Sequence, residues 1–310
     1  MTRSDRIARL RTELEGLTTE RAAAEFADLD VLPTRDVVRV MLDDGRQVAD
    51  AVLARADEIA RAVDLVADRM SRGGRLLYLG AGTPGRLGVL DASEIPPTFG
   101  VDPSRVVGII AGGPSALVSS IEGAEDDAAL GAADLEAAHL GPDDVVVGIT
   151  ASGRTPYVVG GLAHARTVGA GTVAVACNVG TPVAALADVG IEVVVGPEVV
   201  AGSTRLKAGT AQKLVLNAIS TVTMIRLGKT YAGHMVDLQT SNEKLRARGE
   251  RTVMLITGVD EDTARDALRA TDGAVKAAIL VSMKDLTGRQ ALDLLAAHGG
   301  RLRDALEATA

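Results

Sequence analysis

Apolar residues recur at three- and four-residue steps from Asp36 to about Arg72, the spacing of one face of an amphipathic helix. The pattern predicts one long helix, or a pair of helices broken near Gly45. Beyond it, short β-rich apolar runs alternate with Gly-rich turns and helical stretches. The five runs lie at 75–80, 105–112, 144–150, 172–177 and 191–196.

These runs are apolar throughout, without alternation of apolar and polar positions, which is typical of strands covered on both faces. Helical segments between them predict right-handed βαβ crossovers in a parallel sheet. The sequence therefore predicts an α/β fold with a doubly wound, five-stranded parallel sheet. Ligands of such sheets bind beyond the carboxyl ends of the strands, so we expect the functional site in the Gly-, Ser- and Thr-rich loops that follow them.

The segments after the last strand favour helices. Residues 206–229 and 242–257 each predict one helix, and from about Asp260 onward short amphipathic helices are separated by Asp-Gly, Thr-Gly and Gly-Gly pairs. We expect three parts: an N-terminal helical region over 1–50, the sheet domain with its flanking helices over 51–257, and a small C-terminal helical unit over 258–310.

Composition narrows the ligand class. The 310 residues include 33 Lys and Arg against 41 Asp and Glu, a formal net charge of −8. An acidic surface repels a phosphate backbone, and 2% aromatic residues with no Trp offer few rings on which bases could stack. We therefore expect a small polar ligand and no nucleic acid.

Cysteine content and hydropathy indicate the compartment. The single cysteine, Cys177, excludes an intrachain disulfide framework and an all-cysteine metal cluster, which fits a reducing environment. No apolar run approaches the roughly 20 residues of a membrane-spanning helix, and the charged amino terminus lacks the apolar core of a secretory signal. We expect a cytoplasmic protein with no membrane partner. No metal site is expected, because the four histidines are never spaced as a metal pair: His139, His164, His234 and His298.

The first strand is followed by LGAGTPGRLG, in which Gly80, Gly82 and Gly85 match the dinucleotide fingerprint G-x-G-x-x-G. A dinucleotide site also needs an acidic residue at the end of the next strand to hold the ribose. That strand runs RVVGIIAGGPSA and ends without one. The sequence therefore disfavours a dinucleotide cofactor.

The loop GITASGRTPY carries the hydroxyls of Thr150, Ser152 and Thr155 around Gly153, directly before a predicted helix. Hydroxyl groups, free backbone N–H groups and a helix amino terminus together favour a phosphate dianion. The alternative is that Ser152 and Thr155 only cap the helix.

Four segments occur in one order: LGAGTPGRLGVLDASEIPPTFG, AGGPSALVSSIEGAEDD, VVVGITASGRTPYVVGGLAHAR and GPEVVAGSTRLKAGTAQKLVLN. They resemble the N-acetylmuramic acid 6-phosphate etherases from about residue 50 to 250, and more loosely through the terminal helices. Residues 1 to about 35 match poorly.

The resemblance implies a sugar-isomerase (SIS) domain, a flavodoxin-like three-layer αβα sandwich, with a UBA-like C-terminal unit. It implies a homodimeric cytoplasmic lyase that needs no metal or other cofactor. Its substrate would be N-acetylmuramic acid 6-phosphate or a similar phosphosugar, split into N-acetylglucosamine 6-phosphate and D-lactate during recycling of cell-wall amino sugars.

The resemblance also assigns site residues. The proton donor of the DASE motif falls on Glu94, and the second catalytic glutamate, in EGAED, falls on Glu125. Without the resemblance, both would count as ordinary surface carboxylates. Substrate contacts are expected on the GTPGR and ASGRT loops and after the last strand, at Gly82, Thr83, Thr150, Ser152, Gly153, Arg154, Thr155, Glu198, Ser203 and Lys207. For Glu198 the alternative is a loop charge paired with Lys207.

The chain departs from the family pattern at five positions: Pro84 where Ser is usual, Ile95 for Cys, Thr150 for a small residue, Ala201 for Thr, and His234 for an apolar residue. Pro84 matters most, because it removes a hydroxyl beside Thr83. The hydroxyl of Thr150 could supply a replacement donor nearby.

The implied chemistry needs two carboxyl groups. Expelling lactate from C3 requires an acid at the ether oxygen, and ring opening makes the C2 hydrogen acidic enough for a base to remove. We assign the acid to Glu94 and the base to Glu125, and expect them to converge on one sugar. Two alternatives keep the fold: a non-catalytic phosphosugar sensor and an aldose-ketose isomerase.

Overall fold

The predicted sheet is present in the structure. Its strands are β1 Leu76–Gly80, β2 Val106–Ile110, β3 Val145–Ile149, β4 Gly171–Ala176 and β5 Val189–Glu192. All neighbouring pairs are parallel, and the spatial order is β2-β1-β3-β4-β5. This is the flavodoxin-like order, with the topological switch point between β1 and β3. The prediction of a doubly wound five-stranded sheet is confirmed.

The chain is described from a computed structural model that covers residues 11, 14, 16–237 and 243–308. It forms two compact units. The first comprises Met1–Ala92 with Ser104–Ser220, and the second comprises Ser93–Pro103 with Thr221–Ala310. Across the described residues, no helix combines the length and apolar content that crossing a bilayer requires.

The fifth strand begins and ends earlier than predicted. Glu192, its last residue, pairs with Ala176, which is also the last residue of β4. Val193 donates one more hydrogen bond to the Ala176 carbonyl, after which β4 offers no further partner. The apolar run at 191–196 is therefore only partly a strand, although Val193 and Val195 are buried.

Helices cover both faces of the sheet. The first unit contains α1 Thr34–Asp44, α2 Gln47–Leu53, α3 Ala56–Ser71, α5 Ala128–Ala137, α6 Pro156–Val168 and α7 Pro182–Leu186. Two more helices start in the first unit and end in the second, α4 Gly82–Phe99 and α8 Lys207–Arg226. The predicted helix over 36–72 is broken at Gly45, as expected, and again at Ala54–Arg55.

Side chains that alternate along β1 face different layers. Leu77 and Leu79 are buried in one core with Tyr157 and Leu162 of α6. Tyr78 points the other way, and its hydroxyl donates a 2.7 Å hydrogen bond to Asp91 on α4. The same carboxylate accepts hydrogen bonds from Asn217 (2.6 Å) and Ser220 (3.2 Å) on α8. A saturated buried carboxylate therefore fixes α4 and α8 against the back of the sheet.

The amino ends of β1 and β3 are tied by an ion pair. The Arg75 guanidinium donates to both oxygens of Asp144, at 3.2 Å from Nε and 2.6 Å from Nη2. The backbone N–H groups of Arg75 and Gly141 donate to the same carboxylate at 2.8 and 2.9 Å. Burial raises the pKa of Asp144, but these hydrogen bonds outweigh it and leave the pKa below its ordinary value.

The second unit is mainly helical. It contains α9 Glu243–Thr257, α10 Glu261–Ala270, α11 Val275–Lys284, α12 Gly288–Ala297, α13 Leu302–Glu307 and a two-stranded ribbon, β6 Thr230–Tyr231 with β7 His234–Met235. Its core joins Val253 of α9 to Leu268 and Ile279. Because α9 is part of this core, the unit extends further toward the amino terminus than the predicted boundary at 257/258.

Candidate active site

The loop after β1 brings α4 very close to the strand that precedes it. A Cβ atom on Gly85 would lie 2.6 Å from the Gly80 carbonyl oxygen and 2.7 Å from Ile110. Only glycine fits at this crossing. The third glycine of the G-x-G-x-x-G pattern is therefore explained by the packing of the helix on the strand, with no need for a dinucleotide.

The loop after β3 is held together by its own hydroxyl groups. Thr150 Oγ1 lies 2.7 Å from Thr155 Oγ1 and 3.4 Å from Ser152 Oγ, and it accepts a 3.2 Å hydrogen bond from the Gly153 N–H. Gly153 has φ +76°, and a Cβ atom there would overlap the Thr181 side chain. The loop is consequently preorganised around a turn that requires glycine.

The alternative in which Ser152 and Thr155 only cap the helix is wrong for Thr155, the residue at the N-cap position of α6. Thr155 precedes α6, but its side chain makes no capping hydrogen bond to that helix. Its hydroxyl bonds Thr150 instead, and Ser152 Oγ accepts from the Arg154 N–H at 3.2 Å. The amino terminus of α6 therefore carries no side-chain cap, but Pro156 has no N–H and the Val158 N–H donates to the Thr155 carbonyl at 3.0 Å, so this helix end offers an anion mainly its positive dipole.

The first unit has a cavity of about 570 Å³ at the carboxyl ends of β1 and β3, a volume within the usual range of small-molecule sites. We refer to it as the main cleft. It brings together seven of the predicted site residues, which are Gly82, Thr83, Glu125, Thr150, Ser152, Arg154 and Thr155. Ligands of open α/β sheets bind at such a switch point. The main cleft is thus the candidate active site of this unit.

Glu125 reaches the main cleft from the loop that follows β2. It lies in a short 3₁₀ helix, Ala124–Asp126, that begins after Gly123 in the left-handed region at φ +79°. The side chain is exposed and has no hydrogen bond or ion pair to another described residue. Its carboxylate is therefore available to a ligand.

Glu94 belongs to the second unit, where it is an exposed residue of α4. Its backbone carbonyl accepts a 2.6 Å hydrogen bond from the Thr98 hydroxyl. The expected convergence of Glu94 and Glu125 on one sugar stays a prediction.

Two of the three candidates after β5, Glu198 and Lys207, are already engaged within the protein. Glu198 is 1% exposed, and its two oxygens accept the backbone N–H groups of Lys207 and Ala208 at 2.9 Å each, at the start of α8. The Lys207 ammonium lies 2.7 Å from Asp44 Oδ1. The alternative of an ion pair between Glu198 and Lys207 is therefore wrong. Sugar contacts from Glu198, Ser203 and Lys207 stay predictions.

Residues of the amino-terminal segment also line the main cleft, and the sequence did not point to them: Leu14, Leu17 and Glu20. Asn178, after β4, accepts the Thr18 N–H at 2.8 Å and donates to the Thr19 hydroxyl at 3.1 Å. No local sequence pattern predicts these contacts, because they join residues about 160 positions apart. Asp126 and Thr204 are further lining residues that the sequence did not single out.

Cys177 is buried at the end of β4, and this burial raises the pKa of its thiol to about 12. A thiol in that state is a poor nucleophile and a poor metal ligand. Among the residues that the structure describes, no group of three or more His, Cys, Asp or Glu side chains is arranged to hold a metal ion.

Known proteins resemble the chain over nearly its whole length. Residues 58–166 match the glucokinase regulatory protein N-terminal SIS domain, and residues 127–222 match the SIS domain. The N-acetylmuramic acid 6-phosphate etherase of Streptomyces coelicolor is 59% identical, covering 96% of both chains, and that of Streptomyces avermitilis is 58% identical with the same coverage. A phosphoheptose isomerase structure from Francisella tularensis is 17% identical, covers 63% of this chain and 100% of its own, and has a TM-score of 0.48.

Proposed function

This chain belongs to the N-acetylmuramic acid 6-phosphate etherase family, and on that premise we propose that it splits N-acetylmuramic acid 6-phosphate into N-acetylglucosamine 6-phosphate and D-lactate. One observation supports this most strongly: the hydroxyl-rich loops after β1 and β3 line the same cleft as Glu125, whose carboxylate has no partner among the described residues. The site thus combines loops suited to bind an anion with a carboxylate, that of Glu125, that can act as a base.

The loops after β1 and β3 are suited to bind the 6-phosphate. Thr83, Ser152 and Thr155 line the main cleft with hydroxyl groups, and the amino terminus of α6, which has no side-chain cap, adds the positive end of its dipole. Hydroxyl donors and a helix dipole both stabilise a dianion. We propose that the phosphate is held between these two loops, which leaves the sugar carbons to extend toward Glu125.

The reaction then follows from the open-chain aldehyde. Glu125 removes the C2 proton, which is acidic because it lies next to the carbonyl, and an enolate forms. The electrons of the enolate expel the lactate oxygen from C3, and Glu94 donates the proton that this oxygen needs to leave as D-lactate. Water adds at C3 of the unsaturated aldehyde, and C2 regains a proton. One water is consumed, and the ether oxygen leaves with lactate.

We further propose a homodimer in the cytoplasm that serves cell-wall amino-sugar recycling, without a metal or other cofactor. The apolar side chains of Val38, Met41 and Leu42 support dimer formation: they lie on one face of α1 and are 47 to 68% exposed. Sedimentation velocity of the full chain tests the dimer, and a mass of about one 31.9 kDa chain would contradict it. Cell fractionation tests the location.

One experiment tests the function and separates it from the two alternatives. The full chain is incubated with N-acetylmuramic acid 6-phosphate in D₂O, D-lactate is measured enzymatically, and C2 of the sugar product is examined by NMR. We expect one lactate per sugar and deuterium at C2. Deuterium without lactate would indicate an isomerase, and a bound sugar with neither change would indicate a sensor.

A further inference from the structure

A second, smaller cavity adjoins the main cleft in the first unit. It has a volume of 260 Å³ and lies between the loops that follow β1 and β2. We refer to it as the side cavity. Ala81, Gly82 and Glu125 line both spaces, so the two are neighbours that share Glu125 at their junction. A ligand whose reacting carbon lies at Glu125 has room on either side of it.

The side cavity contains a cation without an anionic partner. Arg86 lines it from the first turns of α4. Its guanidinium donates to two backbone carbonyls, Leu117 at 3.1 Å from Nε and Ser119 at 3.4 Å from Nη2. It forms no ion pair with a described residue. By contrast, Arg75 of the same unit donates to both oxygens of a carboxylate.

The remaining lining of the side cavity is mostly apolar or weakly polar. Ala111, Ala116 and Ile121 form an apolar wall, and Ser120 adds a hydroxyl. Glu122 and Glu125 are the two carboxylates of the lining, so an anion there needs a strong cationic contact to offset their repulsion. A guanidinium supplies it, because its planar fork matches a carboxylate.

We propose that the side cavity is the subsite for the lactyl group, with Arg86 binding its carboxylate and the apolar wall receiving its methyl group. This inference rests on the proposed function. The substrate carries two anions, a phosphate at C6 and a carboxylate on the C3 substituent. With the phosphate in the main cleft and C2 at Glu125, the C3 substituent enters the side cavity. Arg86 thereby selects a phosphosugar that bears an acidic ether substituent.

The test measures binding by calorimetry, with Glu125→Gln as background so that no ligand is consumed. Three ligands are compared: N-acetylmuramic acid 6-phosphate, its lactyl carboxamide, and N-acetylglucosamine 6-phosphate. Arg86→Gln should weaken binding of the first by about 10- to 100-fold, the range for a charge-assisted hydrogen bond. It should change the other two less than about twofold, because neither carries the carboxylate.

Two control variants separate charge from structure. Arg86→Lys loses the planar guanidinium that holds two carbonyls but keeps the positive charge. Because of that charge, the variant should still bind the carboxylate ligand more tightly than the carboxamide. Arg154→Gln, which changes an arginine lining only the main cleft, should shift all three dissociation constants by a similar factor. An equal loss for all three ligands in Arg86→Gln, or no loss for any, would overturn the proposal.

Failure of this inference and failure of the proposed function give different results. Lactate release by the unaltered chain tests the function and does not depend on the calorimetry. Lactate release with an unselective Arg86→Gln effect would overturn only the lactyl subsite. Selective loss of carboxylate binding without lactate release would support the subsite and refute the etherase reaction.

Discussion

The two edges of the sheet, at the amino ends and at the carboxyl ends of its parallel strands, contrast in how their polar groups are used. At the amino ends, Asp144 is 5% exposed, and its carboxylate accepts hydrogen bonds from the Arg75 side chain and from two backbone N–H groups. At the carboxyl ends, Glu125 of the loop after β2 is exposed and has no partner among the described residues, while the hydroxyls of the loop after β3 bond mainly one another. One end is closed by its own contacts, and the other is open to a ligand.

The contrast separates stability from chemistry within one unit. A buried carboxylate whose oxygens are all occupied stabilises the fold, because removing it leaves its donors unpaired. A carboxylate with free oxygens contributes little to stability and can act on a bound molecule. Substitutions at the two edges of the sheet should therefore have opposite effects on activity and on unfolding.

The largest expected effect is at the open end. Glu125→Gln should lower kcat by about 10²- to 10⁴-fold, the usual contribution of a general base, with little change in the melting temperature. Glu94→Gln should lower kcat comparably, since it removes the proposed acid. Lactate release and thermal unfolding measure the two properties. Glu136→Gln, at an exposed residue of α5, is the control and should change neither lactate release nor thermal unfolding. Near-normal turnover of Glu125→Gln and of Glu94→Gln would refute the assignment.

The reverse result is expected at the closed end. Asp144→Asn should cost about 3 kcal/mol of unfolding free energy, the lower end for a broken buried ion pair, because the Arg75 side chain stays 24% exposed. Below the melting temperature, its kcat should be close to that of the unaltered chain. Urea unfolding at neutral pH measures the cost. A loss of kcat in folded protein would contradict the proposed separation.

The stability lost in Asp144→Asn should depend on pH. The folded state lowers the pKa of Asp144 below its ordinary value of 3.8, so its stabilisation is complete above that value and is lost as the pH falls through the folded pKa. The difference in stability between the unaltered chain and Asp144→Asn should therefore be constant near neutral pH and shrink below about pH 4. A difference that stays constant down to pH 2 would exclude this linkage.

The smallest expected effect lies within the open end, at the loop after β1. Pro84 is in the first turn of α4 and lines the main cleft, so it withholds both a hydroxyl and a backbone N–H from that helix terminus. Pro84→Ser should tighten binding of N-acetylglucosamine 6-phosphate by about 2- to 10-fold. Pro84→Ala restores only the N–H and should gain less. Weaker binding in the serine variant would show that the proline itself is needed.

Much of the fold was predictable because strand patterns are local. The five apolar runs indicated five strands, and all five are present, the last with shifted bounds. The two polar loops were predictable from their position after strands. The partners of Glu198 were not, since its contacts with the backbone of Lys207 and Ala208 depend on how the chain turns between β5 and α8.

The sequence by itself determined the parallel sheet, the edge of the sheet where the candidate site lies, and the family to which the chain belongs. These follow from apolar periodicity and from sequence motifs, which depend on residues that are close together in the chain. Only the tertiary structure decided which polar side chains stay free. Whether a carboxylate or a guanidinium is saturated depends on donors and acceptors brought together from distant parts of the chain, as Arg75 with Asp144 and Thr18 with Asn178 illustrate. That Glu125 has no partner, and Arg86 no anionic partner, among the described residues is a property of that packing.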